Sequence, residues 1–222
     1  MDTRHTESCA GTWIGRFGII SYSGASAYAF ACTERIPDLI TEITVVSGIC
    51  PIRARYGKSN LPFASKLMLS MLKLNPNILY KMRFIQMLKG RGEMDDAFFA
   101  KMAKSSIETE KAIVLDPPYQ AVFKDSALTT FQQGTAGGIS DMSLCFSGWG
   151  IDLKRIKTKV LLWHGGMDRS APLSMTEYMQ GVLPNSELRC CKEDGHLSVL
   201  YRHRDEIVKG FLWPHATISF AA

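Results

Sequence analysis

The sequence predicts an α/β domain, built on a mostly parallel sheet and interrupted by a helical insertion. Three observations carry that expectation. A short apolar run near Phe17 leads directly into a helical pattern and then into a β-branched run, which makes a βαβ unit. Strand signals vanish between Pro51 and Trp149, and strand–helix alternation resumes at Lys159. With 222 residues the chain fits one shared core better than two independent domains. The expected organisation is a core of residues 1–50 and 150–222 with a helical cap at 51–149.

Each element has a local reason. Phe17-Gly18-Ile19-Ile20-Ser21 is a short apolar strand that ends in the small residues Ser21-Tyr22-Ser23-Gly24-Ala25. From Ala25 to Arg35, Ala25, Tyr28, Ala29, Ala31 and Cys32 fall at helical spacing, and Ile36-Pro37-Asp38 supplies the stop. Glu42 to Ser47 is β-branched and almost continuously apolar, as a strand covered on both faces requires. Leu61 to Leu88 and Asp95 to Leu115 read as helices, broken at Asn75-Pro76 and Gly90-Arg91-Gly92. Lys159 to Trp163 is a third strand, Met175 to Leu183 a helix, Glu187 to Lys192 a fourth strand and Leu197 to Leu212 a closing helix.

Composition narrows the function classes. At 46% hydrophobic and 21% charged residues the chain is too apolar for disorder. The richest apolar stretch, Leu67 to Leu74, is far shorter than the roughly 18 to 20 residues of a spanning helix, so no membrane span is expected. Met1 to Ala10 carries Asp2, Arg4, His5 and Glu7 and lacks the apolar centre of a secretory signal, which makes a cytoplasmic location the expectation. Six cysteines without a CxxC pair suggest neither a metal cluster nor a disulfide framework; they read as small buried residues, and neither metal nor cofactor is expected. The net charge of +5 is uneven, because Arg53 to Lys104 holds eleven Lys or Arg against three acidic residues. Those charges are spread among Leu, Met and Phe at helical intervals, which is the pattern of solvated helix faces, and no nucleic-acid partner is expected.

The chemistry centres on Ser23. A serine hydroxyl needs a base to take its proton and a backbone that presents it away from competing contacts. A strand that turns directly into a helix gives such a presentation, with the apex strained and small residues two positions before and after it, here Ser21 and Ala25. Ser21 itself lies on the strand side of the apex and should point into packing.

The run from Gly18 to Ala25, followed by Tyr28-Ala29-Phe30-Ala31 and Ile36-Pro37, resembles the nucleophile elbow of the α/β-hydrolase family, with Ser-x-Ser-x-Ala in place of Gly-x-Ser-x-Gly. Val160 to Pro172 is similar to the strand and loop that deliver the family's acid, and Asp168 takes that position. Leu183-Pro184-Asn185 with Glu193 to Ser198 resembles the last strand and histidine loop, and His196 takes that position. The order Ser23, Asp168, His196 is the family's order, and each residue follows a strand end, where α/β sheets hold their sites.

The resemblance implies a serine hydrolase for an ester or related acyl substrate. His196 would take the Ser23 proton, Asp168 would orient and stabilise the imidazolium, and the Gly24 N–H would donate to the oxyanion. Tyr22 and His164 are the accompanying binding residues, His164 in a structural or pocket-lining role. Met68, Met71, Met82, Met87, Phe84, Phe98 and Phe99 could line an adaptable lid for an apolar or acyl substrate, or simply form core. Asp141 and Trp149 read as cap packing, Asp194 as a loop residue, and His5, His203 and His215 as peripheral.

The resemblance covers about Trp13 to Leu212, the latter part of the fold. Four strands, their helices and the His-Gly loop that gives the second oxyanion donor have no counterpart before Ser23, so the expectation is an N-terminally truncated, impaired hydrolase. The Phe17 strand would then be an apolar sheet edge, its backbone groups exposed or paired by something outside the usual fold, such as a partner chain or a second copy. The alternative is a noncatalytic binding or scaffold protein of the same fold.

Overall fold

The structure is a computed structural model that describes residues 15–51, 94–130, 132, 134, 136–145 and 148–212. Among these, four strands form one sheet: β1 (Phe17–Tyr22), β2 (Ile40–Val46), β3 (Lys159–Gly165) and β4 (Ser186–Cys191). They lie side by side in chain order, and every pairing is parallel. The helices are α1 (Ser26–Arg35), α2 (Asp96–Ser105), α3 (Glu108–Leu115), α4 (Pro117–Thr130), α5 (Ala136–Cys145), α6 (Leu173–Val182) and α7 (Ser198–Leu212).

Parallel strands need crossovers, and the alternation of side chains along each strand assigns them to two faces. Ile43, Val45, Val160 and Leu162 point to the face that carries Ala29 and Phe30 of α1 and Met175 and Met179 of α6. Val46 and Trp163 point the other way, onto Val199 and Ile207 of α7. The inner strand β2 is buried along almost its whole length, which is why its sequence is apolar or β-branched apart from Glu42. Among the described residues β1 pairs only with β2, and Ile20 on this edge strand is exposed.

All four expected strands are present, within two residues of their expected limits. The helical run expected from Asp95 to Leu115 is two helices. Asp95 caps α2 by accepting a hydrogen bond from the Phe98 N–H. Ser105 and Ser106 then turn their hydroxyls back onto the Met102 carbonyl, and Ser106 is extended, so the helical ladder stops there. Asp116 is extended ahead of Pro117, which opens α4. Helices α2 to α4 share a smaller core of Phe99, Ala103 and Val114, joined by Tyr119, Phe123 and Leu197.

The expectation that the cysteines are buried holds for Cys50 and Cys145 and is corrected for Cys32 and Cys190, which are exposed; Cys191 is intermediate. No helix among the described residues is long and apolar enough to cross a membrane. The expected Leu61 to Leu88 helix, and with it Met68, Met71, Met82, Phe84 and Met87, lies outside the described residues.

Candidate active site

Register aligns the strand ends. Tyr22 pairs with Val46 and Val46 with Trp163, so residues just beyond them leave the sheet along one rim. Ser23 is one of these. It has φ 56, the left-handed region that costs a side-chain-bearing residue roughly 1–3 kcal/mol, and it persists there because β1 must turn into α1 within the three residues Ser23–Ala25. Ser21, by contrast, is buried and its hydroxyl donates to the Thr44 carbonyl.

The loop after β3 brings in Asp168. Its side chain is fully buried, and Oδ1 accepts the backbone N–H groups of Ser170 and Ala171, both at 2.8 Å. The loop between β4 and α7 brings in His196, whose Nδ1 lies 2.7 Å from Asp168 Oδ2 and whose Nε2 lies 3.0 Å from Ser23 Oγ. A carboxylate only accepts here, so Nδ1 carries the proton and Nε2 is free to accept the Ser23 hydroxyl. The His196 side chain is 19% exposed.

The surrounding groups hold this row in place. The Tyr22 hydroxyl and the Ser47 hydroxyl both donate to the His196 carbonyl, at 3.2 and 2.9 Å. The Tyr22 ring lies 5.1 Å from the His196 ring, and burial, reinforced by the charge on Asp168, pushes the Tyr22 hydroxyl well above its ordinary pKa. Tyr22 therefore stays a neutral donor. Gly24 packs against Cys145 of α5, whose Sγ would stand 3.1 Å from a Cβ there. Gly165 ends β3 against the Asp194 and Gly195 carbonyls, a contact that no Cβ could share.

His164 is fully buried and stands behind Asp168, not on a binding surface. Its Nε2 is 2.8 Å from the Ala171 carbonyl and must be the protonated nitrogen, leaving Nδ1 to accept the Thr176 hydroxyl at 2.6 Å. Nε2 is also 3.5 Å from Asp168 Oδ2. Burial lowers its pKa and keeps the ring neutral. Of the residues expected to line a lid or to form core, Phe99 is fully buried among its neighbours and Phe98 is exposed. Trp149 stacks near Phe30, and Asp141 accepts the Tyr28 hydroxyl at 2.6 Å.

Several participants escaped the sequence reading. Ser47 follows β2 and has φ 48; its place beyond a parallel strand end was the available signal. Asp194 is a loop residue as expected, but it is buried and bonded to Arg202 at 2.8 Å and to His203 at 2.9 Å, so His203 has a buried partner. Cys191, Asp194 and His203 are the one group of metal-donor side chains that converge among the described residues. The Arg202 guanidinium already supplies Asp194 with the positive charge that a cation would bring.

No protein-family model and no curated protein matches the chain. Its structure does match solved ones. A hydrolase from Oleispira antarctica aligns with TM-score 0.60 and 18% identity, over 94% of this chain and 67% of that one. An esterase from Exiguobacterium antarcticum aligns with TM-score 0.59 and 17% identity, over 95% and 71%. A bromoperoxidase from Bacillus anthracis aligns with TM-score 0.58 and 16% identity, over 94% and 70%.

The fold is that of the α/β-hydrolases. In an α/β-hydrolase sheet the rim described above, beyond the C-terminal strand ends, is where the reacting groups are carried.

Proposed function

We propose that this chain is a serine hydrolase that acts on an ester or related acyl group. The observation that carries the reading is the His196 ring, held between Ser23 Oγ on one nitrogen and the buried Asp168 carboxylate on the other. In this reading the Ser23 proton passes to His196 Nε2 as Oγ adds to the substrate carbonyl. Asp168 stabilises the imidazolium that forms, and the Gly24 N–H donates to the oxyanion. Collapse expels the alcohol, which takes the proton from His196, and water repeats the sequence to release the acid. The strained backbone of Ser23 fits this role, because it aims Oγ away from the sheet at little further cost.

Residues 51–149 are read as a cap over the rim, and Phe98 is one of its exposed apolar side chains that would meet an acyl chain in this reading. The solved neighbours include proteins described as a hydrolase and an esterase, which supports the reaction class. The noncatalytic alternative is not favoured, since binding alone asks nothing of a strained serine backed by a buried carboxylate.

A fluorophosphonate probe tests the reading. The folded chain should be labelled once, and Ser23→Ala should abolish labelling while leaving the fold intact by circular dichroism. Absence of labelling in the folded wild-type protein would refute it.

A further inference from the structure

We infer that Glu110, on α3 of the segment between β2 and β3, is a positioning residue for His196, an inference that rests on the serine-hydrolase reading. The loop from β4 to α7 has little regular structure of its own, yet His196 must be held to within a fraction of an ångström to bridge Ser23 and Asp168.

On the sheet side its carbonyl is fixed by Tyr22 and Ser47. On the other side the chain is fixed by α3. Glu110 Oε1 accepts the N–H of Leu197 at 2.7 Å and that of Ser198 at 3.4 Å. The neighbouring Thr109 hydroxyl donates to the Glu193 carbonyl at 3.1 Å and lies 3.3 Å from Ser198 Oγ. Leu197 itself packs into the Phe99 core of α2 to α4. The approach is so close that a Cβ on Gly195 would stand 2.6 Å from Glu110 Oε1 and 2.8 Å from Ile107 Cδ1.

The physical reason for a carboxylate is the start of α7. The first N–H groups of a helix have no partner within it and carry the positive end of its dipole, so a charged acceptor there makes a strong hydrogen bond. That acceptor is normally a local residue. Here it comes from a separate element 87 positions away in sequence. The seating of α3 therefore sets the backbone that follows His196, and the helical segment and the histidine act as one unit. Loss of the carboxylate frees the His196 loop on one side only, which tilts the imidazole relative to Ser23 without removing any reacting group.

The experiment compares wild type, Glu110→Ala, Glu110→Gln, Glu110→Asp, His196→Ala and Glu110→Ala/His196→Ala, by fluorophosphonate labelling rate and p-nitrophenyl acetate turnover. Glu110→Ala should slow both by about tenfold to a hundredfold, in kcat more than in KM, the scale expected of a small misplacement. Glu110→Gln should keep most of the rate, because its amide oxygen accepts the same two N–H groups, whereas Glu110→Asp, one methylene short, should not. In the His196→Ala background the Glu110→Ala change should have no further effect. A wild-type rate in Glu110→Ala, an equal loss in the His196→Ala background, or a Gln variant no faster than the Asp variant overturns the role of Glu110 alone. A folded wild-type chain that is not labelled at Ser23 overturns the hydrolase reading, and this inference with it.

Discussion

At the scale of single residues, the geometry divides polar side chains into those that the proposed reaction would use and those that hold them in place. Asp168 is held by two backbone N–H groups, so replacing it with Asn should leave the loop in place while removing the charge that fixes the His196 tautomer. In the proposed reaction Asp168→Asn should lower kcat by about 10³ to 10⁴, read as ester turnover with an unchanged unfolding midpoint. His164 makes a separate prediction about stability. Burial, against the weaker opposing pull of Asp168, lowers its pKa beneath the ordinary 6.5. The unfolded chain therefore binds more protons than the fold as pH falls below about 6.5, so stability declines with acidification there and is level above it. Urea midpoints should fall through this window, and His164→Gln, which cannot titrate, should remove that part of the slope.

At the scale of elements, β2 carries both strength and a local flaw. It is the inner strand between β1 and β3, and Thr44 on it is fully buried with a hydroxyl that has no hydrogen-bond partner among the described residues. A buried unpaired hydroxyl costs about 1–3 kcal/mol by mutational comparison, and valine has nearly the same shape without it. Thr44→Val should therefore raise stability by about 1 kcal/mol, or roughly 2–4 °C in Tm for a chain of this size, measured by thermal unfolding. The break between α2 and α3 shows the opposite use of hydroxyls. Ser105 and Ser106 end a helix that apolar spacing alone would continue, and the turn that results lets Thr109 and Glu110 face the His196 loop.

At the scale of the whole molecule, the described residues form an α/β/α sandwich with a smaller helical core set against it. The two meet at Tyr119 and Tyr201, whose rings are 5.7 Å apart, and along the His196 loop. Phe99 is fully buried at the centre of the smaller core. Phe99→Ala should cost that core about 3–5 kcal/mol. Because the sheet has its own apolar contacts, amide exchange should accelerate in α2 to α4 and in the His196 loop while β2 and β3 stay protected. Equal acceleration everywhere would show that the two cores unfold as one.

What the sequence determined by itself was local and periodic. The β-branched run of β2, the apolar run of β3 and the small residues around Ser23 are written into neighbouring positions, so the strands and the sharp turn could be read without coordinates, while Asp168 and His196 were singled out by family resemblance alone. The contacts decided only by tertiary structure join residues far apart in the chain. Glu110 stands in a Glu-Thr-Glu-Lys run that reads as a solvated helix face, and Thr176, which turns His164 into a buried support, sits on an ordinary amphipathic helix. No local pattern marks such residues, because their partners are supplied by the way sheet, loops and helices close on one another, and the energy of those contacts exists only once the chain is packed.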